Sequence, residues 1–200
     1  MQSFTINAPN LISIGRMLLA IVCLALLFQP DENLKIAAFI ISVVIVPLDA
    51  LDGYLARKNK QTTKDGAFLD IICDRLVESF FWVTFASLNL VLFWVPIIII
   101  SRGLITDSIR FAALKRGYEP FKMMQSKFTT WLVASRFNRG AYAAIKAIIF
   151  PWLILELIIA VPTWYTITGN CLVIVTVLYC VIRGLPVIYD AKFLFKKNKI

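Results

Sequence analysis

Four aspartates stand in and beside apolar stretches of this chain: Asp49 and Asp52, then Asp70 and Asp74. A carboxylate near the centre of a bilayer costs about 2.5–3.5 kcal/mol on insertion scales, so four of them close together require a compensating partner. Within each pair the spacing is three or four residues, which places both side chains on one face of a helix. The connection between the pairs is short, so the two helices are expected to be antiparallel neighbours whose carboxylates converge at one depth. Unpaired, the four charges would repel. Hard oxygen donors without nitrogen or sulfur suit Mg2+, Mn2+ or Ca2+ rather than zinc. Two such ions about 3.5–4 Å apart would clamp the attacking and leaving oxygens of a phosphoryl transfer. Divalent metal beside a membrane points to phosphate chemistry on a lipid. The competing structural reading is an ion-pair network with Arg57 and Arg75, for which too few cations stand at the same depth.

Small residues surround the aspartates. Gly53 and Gly66 flank the site and Ala56 lies between them. Such residues admit the close approach of a phosphate or nucleotide, or simply let helices pack. Arg57 can hold a phosphate, pair with an aspartate, or mark the basic side of a membrane.

The elements that position these residues are apolar helices. The chain has 200 residues, 60% of them hydrophobic, and a mean hydropathy of +0.79. These values indicate a polytopic membrane protein with one embedded domain over residues 1–200. Six spans of bilayer length are expected, at about 12–29, 34–56, 66–90, 92–115, 140–160 and 166–189. The net charge of +9 is concentrated at Arg57–Lys64, Lys115–Arg139 and Lys192–Lys199. Basic connections mark the cytoplasmic side, so the fold class is an all-α bundle of six transmembrane helices with both termini cytoplasmic. Residues 117–139 are expected to form a cytoplasmic connection lying in the headgroup plane. The basic charge is accounted for by topology and anionic lipid, and no basic and aromatic surface suggests nucleic acid. The first basic residue is Arg16 and no cleavage site follows the first apolar run, so that run is expected to stay as a membrane helix rather than act as a signal peptide. Cys23, Cys73, Cys171 and Cys180 form no CxxC and are expected as small buried apolar side chains. Histidine is absent, which excludes histidine nucleophiles, bases and ligands.

The pattern D-x2-D-G-x2-A-R-x8-G-x3-D-x3-D resembles the signature of the CDP-alcohol phosphatidyltransferases. Asp49, Asp52, Gly53, Ala56, Arg57, Gly66, Asp70 and Asp74 match every fixed position. The resemblance implies a homodimeric integral membrane transferase that moves a substituted phosphate from a CDP-linked donor to an alcohol and releases CMP. It implies two divalent ions, Mg2+ or Mn2+, on Asp49, Asp52, Asp70 and Asp74, with Asp74 as the catalytic base on the acceptor hydroxyl. Gly53, Ala56 and Gly66 would line the cytidine nucleotide and Arg57 would stand near its phosphates. The donor would be CDP-diacylglycerol, and the protein would be a multi-pass protein of the plasma membrane with its site facing the cytoplasm.

A second cluster bears on the acceptor. Arg102 and Arg110 stand eight residues apart in the fourth span, within about 80° of each other on a helix. Cations facing a bundle interior can bind an anionic acceptor, or they anchor the helix to the cytoplasmic side. This arrangement is similar to the phosphatidylglycerophosphate synthase branch, as are Pro9-Asn10-Leu11-Ile12 with Arg16, and Asp65–Asp70. In that branch the acceptor is glycerol 3-phosphate. The branch carries a G-K-x-K-T element where this chain has Ser126-Lys127-Phe128-Thr129-Thr130, keeping one lysine and the last threonine. Arg139 and Lys146 share one helical face with Tyr142 between them and can supply the missing phosphate contacts, or form a solvated basic face. The expected acceptor-phosphate set is therefore Arg102, Arg110, Lys127, Arg139 and Lys146. Arg183 near the end of the sixth span either approaches this site or anchors the helix end. Rival acceptors are inositol phosphate, serine and phosphatidylglycerol. A transporter with an acidic cation site is the rival from another class; no internal repeat of the transporter kind is visible.

Overall fold

A computed structural model describes residues 8–58, 64–115 and 127–191. The lead-in before Ala8, most of the basic connection and the tail after Ala191 lie outside the described residues, as do the side chains of Asp49, Asp52, Gly53, Ala56, Arg57, Lys127 and Arg139. Seven helices are described: α1 (Ala8–Leu27), α2 (Glu32–Lys58), α3 (Lys64–Ser87), α4 (Trp94–Lys115), α5 (Lys127–Ala134), α6 (Arg136–Leu155) and α7 (Thr163–Asp190). There is no strand among the described residues. Helices α1 and α7 are long and apolar enough to cross a bilayer by length and composition.

Local chemistry sets the ends. Asp31 accepts from the Asn33 backbone N–H at 2.9 Å and caps α2. Helix α3 stops at a reversal in which Asn89 has a positive φ of 59°. There the Leu90 N–H reaches back to Phe85 O and the Asn89 N–H to Ala86 O, a helix stop that asparagine tolerates better than most residues. The expected 117–139 connection is more ordered than the sequence suggests. It contains α5, and α6 begins at Arg136 because Ser135 caps it, its Oγ accepting from Asn138 N at 3.1 Å.

The six longer helices close into a ring. Helix α1 packs on α2 and α3, α2 on α6, α6 on α7, α7 on α4, and α4 on α3. An aromatic plug fills the centre: Phe81 stacks on Phe150 with centroids 4.6 Å apart, and Trp82 and Phe85 meet the same ring edge-on. The outer faces are apolar too, with Leu18, Ile97, Leu104, Ile174 and Leu178 exposed. Cys171 is exposed on α7 as well, contrary to the expectation of burial. An interior and an exterior that are both apolar suit a protein whose solvent is lipid.

Phe81→Ala is expected to destabilise the fold by about 3–5 kcal/mol, read as a lowered unfolding temperature in detergent. Leu18→Ala, on the outer face, serves as the control and should change it little.

Candidate active site

Asp70 and Asp74 lie one turn apart on α3 and face α1. Ser13 Oγ donates to Asp70 Oδ1 at 3.3 Å. Arg16, three residues on, donates from Nη2 to Asp74 Oδ1 and stands 3.6 Å from Asp70 Oδ1. The Arg16 side chain is 3% exposed, while the two carboxylates are 43% and 44% exposed. The cation is thus fixed in the helix contact, and the acids keep an open side toward a ligand. Arg16 is a site residue that spacing alone did not single out. Its signal is a lone cation in an otherwise uncharged span, with Ser13 one turn before it.

Asp70 and Asp74 are the described half of the expected four-carboxylate site. Among the described residues no three acidic or cysteine side chains gather; the side chains of Asp49 and Asp52 lie outside them. The donor set fits a hard divalent ion: two half-exposed carboxylates on one face, with a hydroxyl beside them.

One turn deeper lies a network that sequence reasoning missed. Arg75 turns away from the motif aspartates. Its Nε donates to Asp107 Oδ2 at 2.7 Å and its Nη1 to Glu78 Oε2 at 3.1 Å. Asp107 also accepts from Arg110 Nη1 at 3.2 Å. Glu78 accepts from Tyr142 Oη at 2.6 Å, and Lys146 Nζ stands 3.5 Å from it. The expected ion-pair role of Arg75 therefore falls on Glu78 and Asp107. Two of the residues assigned to acceptor phosphate, Arg110 and Lys146, are held by carboxylates.

Beyond this network the charge is positive. Arg102, Arg110 and Arg183 are electrostatic neighbours across the contact of α4 with α7. Arg183 is buried, donates from Nη2 to Val133 O at 3.4 Å, and lies over the rings of Tyr142 and Tyr179 at 5.6 and 5.9 Å. Buried Nε atoms of Arg102 and Arg183 have no hydrogen-bond partner among the described residues. Buried guanidinium donors are costly to leave unmatched, so this arrangement is suited to an anion. Gly184 makes room for it: a Cβ there would come within 2.8 Å of Arg102 Cγ. The sequence singled out Arg183 without resolving its role, because the cluster joins residues of α4 and α7 far apart in the chain. Gly66, at the start of α3, is half-buried.

A sequence profile described as CDP-alcohol phosphatidyltransferase matches residues 6–182. A Bacillus subtilis (strain 168) protein named CDP-diacylglycerol–glycerol-3-phosphate 3-phosphatidyltransferase is 28% identical over 137 residues, covering 62% of this chain and 71% of its own. A Pseudomonas fluorescens protein of the same name is 35% identical over 106 residues, 52% of this chain and 54% of its own. A Candida albicans CDP-diacylglycerol–inositol 3-phosphatidyltransferase is 38% identical over 78 residues, 39% of this chain and 32% of its own. With the profile match spanning the aspartate motif together with Arg102 and Arg110, the chain belongs to the CDP-alcohol phosphatidyltransferase family.

Proposed function

We propose that the protein is a CDP-diacylglycerol-dependent phosphatidyltransferase that uses glycerol 3-phosphate as acceptor and releases CMP. The observation that carries the choice of acceptor is the arginine cluster of Arg102, Arg110 and buried Arg183, with the unmatched Nε atoms of Arg102 and Arg183, next to Glu78 on the helix that carries Asp70 and Asp74. Glycerol 3-phosphate brings a phosphate to match those donors, and bidentate guanidinium contacts favour phosphate. The names of the Bacillus and Pseudomonas relatives support the same acceptor. The Candida relative, named for inositol, makes a phosphate-free acceptor the second reading.

In this reading an acceptor hydroxyl oxygen attacks the phosphatidyl phosphorus of the donor. The new P–O bond forms as the bond to the CMP phosphate breaks, and CMP leaves with the electron pair. Asp74 takes the hydroxyl proton, with its carboxylate oriented by Arg16. Two divalent ions, Mg2+ or Mn2+, held by Asp49, Asp52, Asp70 and Asp74 would neutralise the pyrophosphate. Gly53, Ala56 and Gly66 leave room for the cytidine nucleotide, and Arg57 meets its phosphates. Arg102, Arg110 and Arg183 hold the acceptor phosphate, together with Lys127, Arg139 and Lys146. The six longer helices cross the plasma membrane with both termini cytoplasmic, and the protein acts as a homodimer. The donor then keeps its acyl chains in lipid while its headgroup reaches the site.

Purified protein in detergent, given CDP-diacylglycerol, Mg2+ or Mn2+ and a panel of acceptors, is expected to release CMP fastest with glycerol 3-phosphate. EDTA should abolish the release and added Mg2+ or Mn2+ should restore it. No CMP with any acceptor would sink the enzyme reading, and preference for inositol or serine would move it to the second. Asp74→Asn is expected to lower kcat by about 10²–10⁴-fold with the protein still folded; full activity would remove the base role. Gly184→Ala should displace Arg102 and raise KM for glycerol 3-phosphate by about tenfold, a value on the order of one lost phosphate contact, with KM for CDP-diacylglycerol unchanged.

A further inference from the structure

Glu78 lies outside the signature and outside the set of residues assigned to substrate, yet among the described residues of the site it is the most enclosed carboxylate, at 4% exposure. It follows Asp74 by four residues on α3, which sets it about 6 Å further along the helix axis. The aromatic plug begins one turn beyond, where Phe81 and Trp82 meet Phe150. A buried carboxylate at that level persists only if cations and donors surround it. Here they come from two helices. From α6, Tyr142 Oη donates at 2.6 Å and Lys146 Nζ stands at 3.5 Å. From its own helix, Arg75 Nη1 donates at 3.1 Å. Arg75 in turn holds Asp107 of α4, which accepts from Arg110.

Both branches end on cations assigned to acceptor phosphate: Lys146 through one contact, and Arg110 through Arg75 and Asp107. The origin of both branches is a helix that also carries Asp70 and Asp74. We propose that Glu78 is a positioning residue that fixes the acceptor-binding cations at a set distance from the aspartates where the donor phosphate reacts. It touches neither substrate. Its two oxygens are divided between the branches, Oε1 toward α6 and Oε2 toward Arg75. A neutral amide in its place keeps the volume but loses the charge that draws Lys146 and Arg75 inward. This inference rests on the reading of Arg110 and Lys146 as acceptor ligands.

The test is steady-state kinetics of Glu78→Gln, Glu78→Asp and Tyr142→Phe, with thermal unfolding measured on each. Glu78→Gln is expected to raise KM for glycerol 3-phosphate by about tenfold while kcat and KM for CDP-diacylglycerol stay within about twofold, the split that marks lost acceptor binding rather than lost chemistry. Glu78→Asp should recover part of the acceptor affinity, because it restores the charge. Tyr142→Phe keeps the carboxylate and removes one donor, so it should give a smaller rise of the same kind. It decides the matter if Glu78→Gln fails to fold. A lowered unfolding temperature with KM for glycerol 3-phosphate unchanged overturns the proposal, as does a fall in kcat at constant KM. Wild-type protein that releases no CMP with glycerol 3-phosphate would instead overturn the acceptor reading itself.

Discussion

The dominant constraint on this fold is the cost of holding charge in a bundle that is apolar inside and out. Arg16, Glu78 and Arg183 are all buried, and an uncompensated ion in such a medium is disfavoured by several kcal/mol. The helices are therefore arranged so that each of these groups meets a counter-charge, a hydrogen-bond partner or an aromatic face from another part of the chain. Arg16 meets α3, Glu78 meets α6, and Arg183 meets the rings of Tyr142 and Tyr179 and the Val133 carbonyl. These contacts tie the site to the ring of helices more firmly than the surrounding aliphatic packing, which in lipid has little hydrophobic gain to draw on.

Two packing devices make the polar layer possible. The aromatic plug of Phe81, Trp82, Phe85 and Phe150 closes the bundle beneath Glu78 and spans between α3 and α6, which stand opposite each other in the ring. Gly184 does the opposite on the α4–α7 side, where the absence of a side chain lets Arg102 lie across α7. Bulk at one contact and its absence at another set the distance between the acidic and basic parts of the site.

The pairing of Asp70 and Asp74 was legible because its meaning lies in local spacing, which a helix converts directly into a shared face. The long helices were legible for a similar reason: a run of apolar residues of bilayer length leaves few alternatives, and the expected spans 92–115 and 166–189 fall close to α4 and α7. The break at Ser135 was not, since one serine among basic and aromatic residues gives little sign that it caps a helix. Arg16, Glu78 and Asp107 were missed for a different reason. Arg16 is a lone charge in an apolar run, and Glu78 and Asp107 read locally as ordinary i,i+3 pairs with Arg75 and Arg110; the fuller meaning of each lies in a partner 58, 64 or 32 residues away, a pairing that no local period encodes.

The distribution of sign across the site is not a simple division into an acidic half and a basic half. The aspartate pair on α3 contains one embedded cation, Arg16, and the basic region formed with α4, α6 and α7 contains embedded acids, Glu78 and Asp107. Without these residues of opposite sign, like charges would face one another in a medium that screens them poorly. With them, each region is stable before its ligand arrives and still carries an excess of one sign to attract it. Asp70 and Asp74 keep exposed surface beside Arg16, and Arg102 and Arg183 keep unmatched donors beyond Glu78. The compensating charges therefore set how strongly each region prefers its ligand, and an active site that must bind a polyanion and a second anion together depends on that balance more than on the count of charges.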